Sequence, residues 1–336
     1  MGDHAFALAR RRGVDVNEQA TPLVESRDLS VHYTRWVGSR RRTVYALDDF
    51  NIAVAPGETV GLVGESGCGK STAGRALLGA VKPTKGQVFF EGRDVTDLNR
   101  RNWRAMRKQV QMIFQDPYSA LNPKIKVRDS IAEPFLVHTR KRGAELDAVV
   151  GELLETVGMT ASAADKYPHA FSGGQRQRIV IARALALHPS FVVADEATAA
   201  LDVSIQAQIV NLLVELKDTV GLSYLFISHN LAVVRHVSDR VAIMYLGHLM
   251  EIGSHHDIYE NPTHPYSQAL LSAVPVPDPA TRGNHEPLKG DLPSPMDPPK
   301  GCRFNTRCPL AVQQCFEERP PLQERSPGHY VACWVN

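Results

Sequence analysis

The spacing of apolar and polar residues changes along the chain, and the changes mark its elements. In "LVESRDLSVHYT" and "VYALDDFNIAVAPGETVGLV" the two kinds alternate, the period of half-buried strands. An antiparallel layer is predicted there, with the basic turn "GSRRRT" between its strands. "TVGLV" is continuously apolar and β-branched, as suits a parallel strand buried on both faces. "STAGRALLGAV" takes helical spacing, and "GQVFFEGRDV" reads as a hairpin. From about 98 to 190 the pattern is largely helical, over "LNRRNWRAMRKQV", "AELDAVVGELLETVGM" and "GGQRQRIVIARALAL", with "QMIFQDP" as a short strand and turn. "FVVADEA" and "SYLFISH" are two further buried strands, each next to helical segments, and "RVAIMYLGHLMEIGS" is a closing hairpin. Strands interleaved with helices predict an α/β fold with an added antiparallel layer. Residues 1–21 read as a loose polar tail. After about 261 the chain turns Pro-rich, in "NPTHPYSQALLSAVPVPDPATRG" and "GDLPSPMDPPKGC", which suits an extended arm or linker and not a continuing sheet. There is no internal repeat.

One junction between strand and helix carries chemistry. Gly64 to Ser71, in "GLVGESGCGKST", fits G-x-x-x-x-G-K-[ST]. In such a loop successive backbone N–H groups form a concave anion site, completed by the positive end of the following helix. Gly64, Gly67 and Gly69 permit the backbone angles and leave room for phosphate. Lys70 would reach the β- and γ-phosphates and Ser71 would hold Mg²⁺. A Gly-rich turn can match by chance, but the strand before and the helix after favour a nucleoside triphosphate site.

Further motifs build on that site. The strand in "SFVVADEA" ends in Asp195 and Glu196. A nucleoside triphosphatase needs one acid to hold Mg²⁺ and one to orient or deprotonate the attacking water. A solvated strand end would also present acids, yet the phosphate loop upstream favours the catalytic pair. In "FSGGQRQRIVIARAL", Ser172, Gly173 and Gly174 precede a long helix and offer a second anion site. One chain cannot easily wrap both sites around one nucleotide. Two chains arranged head to tail can each place this segment over the other's γ-phosphate.

The ordered set "GESGCGKST", "FQDP", "FSGGQ", "ADEATAALD" and "FISHN" resembles the ATP-binding subunits of ABC transporters over about residues 22 to 260. The resemblance implies an ABC-type P-loop NTPase core with an antiparallel β layer and a helical subdomain at about 116–175. It implies that Glu65, Ser66, Cys68 and Thr72 line the nucleotide with the glycines, Lys70 and Ser71, and that Gln175 belongs to the Ser172 segment. Gln115 would link the nucleotide to the membrane subunit and touch Mg²⁺ or the water. His229 would contact the γ-phosphate as a switch, and Asp202 would lie in the loop that crosses the dimer interface. Glu196, His229, Lys70 and Gln115 would form the catalytic set, with Ser71, Gln115 and Asp195 around Mg²⁺. Tyr33 would stack on adenine, with Tyr45 as the alternative. Two departures stand out. Ala197 follows the catalytic Glu where the family usually has Pro, and Ala199 stands where it usually has Ser. Neither removes a catalytic group.

The segments "NPTHPYSQALLSAVPVPDP", "LKGDLPSPMDPPKGCRFNTRCPLAVQQC" and "PGHYVACW" resemble the C-terminal extension of the dipeptide and oligopeptide importer ATPases, over residues 261–336. Of the five cysteines, Cys302, Cys308, Cys315 and Cys333 crowd into this end. Their spacing, C-x5-C-x6-C-x17-C, can supply four thiolates to an iron–sulfur cluster or a structural zinc. Zinc sites usually favour tighter pairs. Similarity to members that carry a [4Fe–4S] cluster favours iron–sulfur, with zinc and free thiols as the alternatives.

Composition narrows the setting. The 336 residues suffice for more than one domain, and 43% hydrophobic with 22% charged is usual for a globular protein. A net charge of +2 gives no electrostatic pointer to nucleic acid. No apolar run reaches the roughly 18 residues of a membrane helix, and the N-terminal apolar stretch is too short for a secretory signal. The expectation is an ATPase that drives peptide import from the cytoplasmic face of the membrane. Its partners would be a second ATPase subunit, identical or not, two integral membrane permease subunits and, indirectly, an extracytoplasmic peptide-binding protein. A non-transport ABC ATPase, or an importer of a related solute such as nickel or glutathione, is the alternative.

Overall fold

The computed structural model describes residues 21–199, 201–273 and 290–335. The expected N-terminal tail, apart from Thr21, lies outside them, as do Ala200 and the Pro-rich run 274–289. The chain opens with a long hairpin of β1 (Val24–Val37) and β2 (Arg40–Val54). β3 (Thr59–Val63) and α1 (Lys70–Leu77) flank the glycine loop, followed by β4 (Lys85–Phe90) and β5 (Arg93–Asp94). α2 (Arg100–Met106) and β6 (Val110–Ile113) lead into α3 (Pro117–Ala120), α4 (Val127–His138) and α5 (Gly143–Thr156). α6 (Gly173–Leu185), β7 (Phe191–Asp195), α7 (Val203–Val220), β8 (Ser223–Ile227) and α8 (Leu231–Val237) alternate. β9 (Arg240–Tyr245) and β10 (His248–Ser254) form a further hairpin, and α9 (His255–Glu260) and α10 (Pro265–Ser272) follow it. α11 (Gln313–Glu317), β11 (Gln323–Ser326) and β12 (His329–Val331) end the described chain.

Two sheets form among the described residues. The smaller runs β2-β1-β4-β5 and is antiparallel. The larger runs β11-β12-β10-β9-β3-β8-β7-β6. Its strands from β9 to β6 are mutually parallel, and the three at the other edge pair antiparallel. Burial on both faces explains the unbroken apolar runs in the parallel strands. In β8, Leu225 and Ile227 face a core shared with α1 and the small sheet, while Tyr224 and Phe226 face the core of the helices. β7 divides in the same way, with Val193 to one core and Val192 and Ala194 to the other. A sheet between two layers is the predicted α/β arrangement, with the antiparallel layer on one face. Among the described residues, no helix is long and apolar enough to cross a membrane.

Two local expectations differ from what is observed. The turn of the first hairpin is Gly38–Ser39, and Arg40, Arg41 and Arg42 belong to β2. Each of these arginines pairs across to β1, at Val37, Trp36 and Arg35, on an exposed ribbon where charged side chains stay hydrated. The segment after residue 261 was expected to be extended and separate from the sheet. Instead Pro265 sits in the first turn of α10, where its missing N–H costs no hydrogen bond. Further on, β12 joins the large sheet by pairing Glu251 with Val331 and Ile252 with Tyr330.

Candidate functional site

The parallel strands set the site. In open α/β sheets, ligands bind beyond the carboxyl ends of the strands. β3 ends at the glycine loop, β6 just before Gln115, β7 at Asp195 and β8 just before His229. Residues far apart in sequence therefore meet on one edge.

Within the loop, Gly64, Gly67 and Gly69 have φ of 156°, 80° and 109°. A Cβ on Gly64 would strike the Met244 carbonyl, and one on Gly69 the Ala46 carbonyl, so both positions also need the lack of a side chain. Lys70 is buried, and its Nζ donates to the carbonyls of Gly64 (2.8 Å) and Glu65 (3.0 Å). Cys68 is buried beneath the loop, and burial pushes its thiol pKa up. Ser66 is exposed, and Thr72 is half-buried on the first turn of α1.

Ser71 Oγ donates to Asp195 Oδ1 at 2.8 Å. Burial raises the Asp195 carboxyl above the usual range, and the Ser71 hydrogen bond opposes that. Glu196 follows in the left-handed region, with φ of 46°, held by its N–H donating to the Ile227 carbonyl at 2.9 Å. Strain of this kind is common at functional sites. The Glu196 carboxylate accepts from Gln115 Nε2 at 2.7 Å, and His229 Nδ1 stands 3.4 Å away from its other oxygen. Gln115 and His229 are exposed and Glu196 is half-buried, so the trio faces open space. Hydroxyl, carboxylate and amide oxygens from Ser71, Asp195 and Gln115 are the hard donors that Mg²⁺ prefers.

The Ser172 segment caps α6. Ser172 Oγ accepts from Gln175 N–H, and Gln175 Oε1 accepts from Ser172 N–H, a reciprocal capping box. Gly174 packs so closely on Ile205 of α7 that a Cβ there would collide with it. Asp202 occupies the position just before α7, with no side-chain hydrogen bond capping that helix. Ser172, Asp202 and the neighbouring Val203 (82% exposed) lie on the surface. Among the described residues no hydrogen bond joins Ser172–Gln175 to the phosphate loop.

The two candidate aromatics are placed differently. Tyr33 lies opposite Val44, with 39% of it exposed. Tyr45 lies opposite His32, and the two rings meet edge to face at 4.7 Å. Its backbone N–H donates to Pro295 of the C-terminal segment at 2.9 Å.

That segment reaches the loop itself, through contacts no local pattern announced. Arg307 Nη1 donates to both oxygens of Glu65, at 2.9 and 3.0 Å, and to the Tyr245 hydroxyl at 3.3 Å. Glu65 N–H donates to the Tyr266 hydroxyl at 3.1 Å. Cys302, Cys315 and Cys333 are buried, Cys308 is half-buried, and none forms a disulfide. The Cys302 thiol is pushed up to about 11, by burial first, with smaller contributions from Cys315, Cys308 and Cys333 nearby. Thiols are metal donors only as thiolates, and the raised Cys302 pKa opposes that form in the absence of an ion. Among the described residues no three His, Cys, Asp or Glu side chains are grouped so as to hold an ion, and the expected four-thiolate centre is not assembled here.

Comparison with known proteins agrees with this architecture. Residues 47–199 match the ABC transporter family, and residues 250–315 match the family of the oligopeptide/dipeptide transporter C-terminal region. The chain is 51% identical over 317 residues to the oligopeptide transport ATP-binding protein AppF of Bacillus subtilis, covering 93% of this chain and 96% of that one. It is 48% identical over 326 residues to the oligopeptide transport ATP-binding protein OppF of Salmonella typhimurium, covering 95% and 97%. The dimeric structure of MJ0796, a bacterial ABC transporter cassette, superimposes with a TM-score of 0.62 at 28% identity, covering 69% of this chain and 98% of that one. The chain belongs to the ABC transporter ATP-binding proteins, in the branch of the oligopeptide transport subunits.

Proposed function

We propose that this chain binds and hydrolyses ATP to energise import of di- or oligopeptides across the cytoplasmic membrane, as a peripheral subunit on its inner face. The observation that carries the hydrolytic part is the meeting of Gln115, Glu196 and His229 beside the Ser71–Asp195 pair. Lys70 would leave the Gly64 and Glu65 carbonyls for the β- and γ-phosphates. Ser71, Gln115 and Asp195 would hold Mg²⁺, which supplies charge neutralisation on the phosphates. Glu196 would orient or deprotonate the attacking water, with His229 beside it to sense the γ-phosphate. The open face of Tyr33 favours it over Tyr45 as the adenine platform, since Tyr45 is engaged by His32 and by the C-terminal segment.

A second ATPase subunit would complete each site, its Ser172–Gln175 segment capping this chain's γ-phosphate across the Asp202 loop. The surface position of Ser172, Asp202 and Val203 supports that reading. Residues 22–260 would form the ATPase unit and 261–336 an extension docked on it. Two membrane permease subunits would couple near Gln115, and a peptide-binding protein would deliver cargo on the far side. Closure on ATP and release after hydrolysis would bias the permease between its states. The peptide cargo rests on the names of the relatives and on the C-terminal region they share.

For the four cysteines we retain the [4Fe–4S] reading. In such a cluster each thiolate binds a different iron, so the sulfurs stand further apart than donors around one ion. Four buried or half-buried thiols free of disulfides suit it. Anaerobically purified protein is expected to contain iron and sulfide, and protein without them overturns this part. The test of the whole is gentle purification of the tagged chain from solubilised membranes, with every co-purifying chain identified. Two polytopic membrane proteins and an ATPase are expected. Soluble partners or ribosomes alone would favour a non-transport ABC ATPase.

A further inference from the structure

Every polar group of Glu65, the second residue of the phosphate loop, has a partner. Its carbonyl accepts from Lys70 Nζ, its N–H donates to Tyr266, and its carboxylate is held by Arg307. Lys70 belongs to the loop, but Tyr266 and Arg307 lie 201 and 242 residues away in the chain. We propose that Arg307 and Tyr266 are positioning residues of the ATP site, so that the C-terminal extension sets this chain's affinity for ATP by fixing Glu65. The proposal rests on reading Gly64–Ser71 as that site.

The clamp is rigid on the side of the extension. The Arg307 side chain is only 7% exposed. Its backbone is fixed by a turn in which Asn305 N–H donates to Cys302, and Arg307 and Cys308 N–H donate to Phe304. Cys302 N–H and Asn305 Nδ2 both donate to the Cys315 carbonyl, which closes the segment on itself. Phe304 is fully buried, with its ring 5.3 Å from those of both Tyr245 and Tyr266. The arginine therefore keeps its place without freezing a free side chain, and its hold on Glu65 follows from the fold of the cysteine segment.

The need for such a hold follows from what Lys70 must do. To reach a phosphate it must release the Gly64 and Glu65 carbonyls, which removes the inner tie of the loop. Arg307 and Tyr266 tie the same residue from outside. They keep the loop in its binding shape while Lys70 changes partners. Without them the loop samples other shapes, and apparent affinity falls by the fraction still competent.

The test measures the dissociation constant for Mg-ATP by equilibrium dialysis on the purified full chain, and KM and kcat on the co-purified assembly. Arg307→Ala is expected to raise the dissociation constant and KM about tenfold, which corresponds to about one competent loop in ten. The kcat at saturating ATP is expected to stay within about twofold, because the catalytic trio is untouched. Arg307→Lys should fall in between. Glu65→Ala should match Arg307→Ala, and the double variant should be no worse than either, as two residues acting through one contact require. A merely structural arginine would give no such dependence on Glu65. Tyr266→Phe, which removes only the hydroxyl, should give a smaller rise and serves as a second probe if Arg307→Ala does not fold. Wild-type affinity in folded Arg307→Ala, or full additivity with Glu65→Ala, overturns the proposal. Wild-type protein that binds no ATP, with Lys70→Ala indistinguishable from it, overturns the reading of the loop as well.

Discussion

The nucleotide site and the C-terminal extension lie against each other, yet they are built on different principles. The site is assembled mainly by the sheet, because the loop, Gln115, Asp195, Glu196 and His229 all sit at carboxyl ends of neighbouring parallel strands. The extension, besides adding β12 to the sheet edge and packing Phe304 in the core, is held by side-chain contacts between distant residues. Arg303 meets Asp48 at 2.7 Å across 255 residues, and Arg319 reaches Asp48 and Asp49. Glu251, fully buried in β10, accepts from His329 Nε2 at 2.7 Å and from the N–H groups of Thr263 and His264. In the first case the scaffold does the positioning and the chemistry is local. In the second the positioning is itself the long-range contact.

Substitutions can sharpen or break this contrast. The largest effect is expected at Glu196. Glu196→Gln removes the base without disturbing the loop, so ATP hydrolysis should fall on the order of 10²- to 10⁴-fold while ATP remains bound. Unchanged turnover in an ATPase assay would show that the water is activated elsewhere. At the extension, Glu251→Ala removes the carboxylate that accepts from two buried donors, His264 N–H and His329 Nε2, and from the half-buried Thr263 N–H. A loss of about 3 kcal/mol is expected in denaturant unfolding. A loss near zero would mean that the extension is not anchored there.

The next effect depends on pH. Burial lowers the pKa of His264 to about 4, and burial likewise lowers that of His248 to about 4, against the Asp48 carboxylate 3.5 Å from its Nε2. The unfolded chain takes up these protons near the ordinary value of 6.5 and the folded chain does not, so stability is lost as pH falls from about 6.5 towards 4. The Asp48 carboxyl is held well below the usual range, by the close His248 ring first and by Arg319 and Arg303, so its contribution persists through that window and is lost only in stronger acid. His264→Gln should flatten the dependence of the melting temperature on pH, removing about 2 kcal/mol of the loss. An unchanged slope would place the titrating groups elsewhere. The smallest effect is expected at the aromatics. Tyr33→Ala should raise KM for ATP about tenfold, in line with about 1–3 kcal/mol for stacking on one base. If Tyr45→Ala gives the larger rise, the assignment is reversed.

The proposed catalytic edge was legible because its chemistry constrains residue type at close spacing. Glycines must occupy positions of positive φ beside the Met244 and Ala46 carbonyls, and the lysine must follow them directly. The parallel strands were legible from their unbroken apolar runs. The basic turn was misplaced because a solvated ribbon imposes no polarity pattern, so Arg40–Arg42 gave no sign of being in a strand. Strand β12 was missed because three residues are too short to show a period and its pairing partner lies some eighty residues earlier. Arg307 could be seen only as a basic residue beside Cys308.

By itself, the sequence determined the α/β class, the phosphate-loop motif, the order of the candidate catalytic segments and the presence of four clustered cysteines, since these depend on local periodicity and on residue types that the chemistry cannot exchange. Only the tertiary structure decided that Gln115 and His229 both turn to Glu196, that the extension adds strands to the sheet edge, and that Arg307 and Tyr266 hold Glu65. Those contacts join residues 33 to 242 positions apart, and a hydrogen bond between distant residues leaves no period in either segment that makes it.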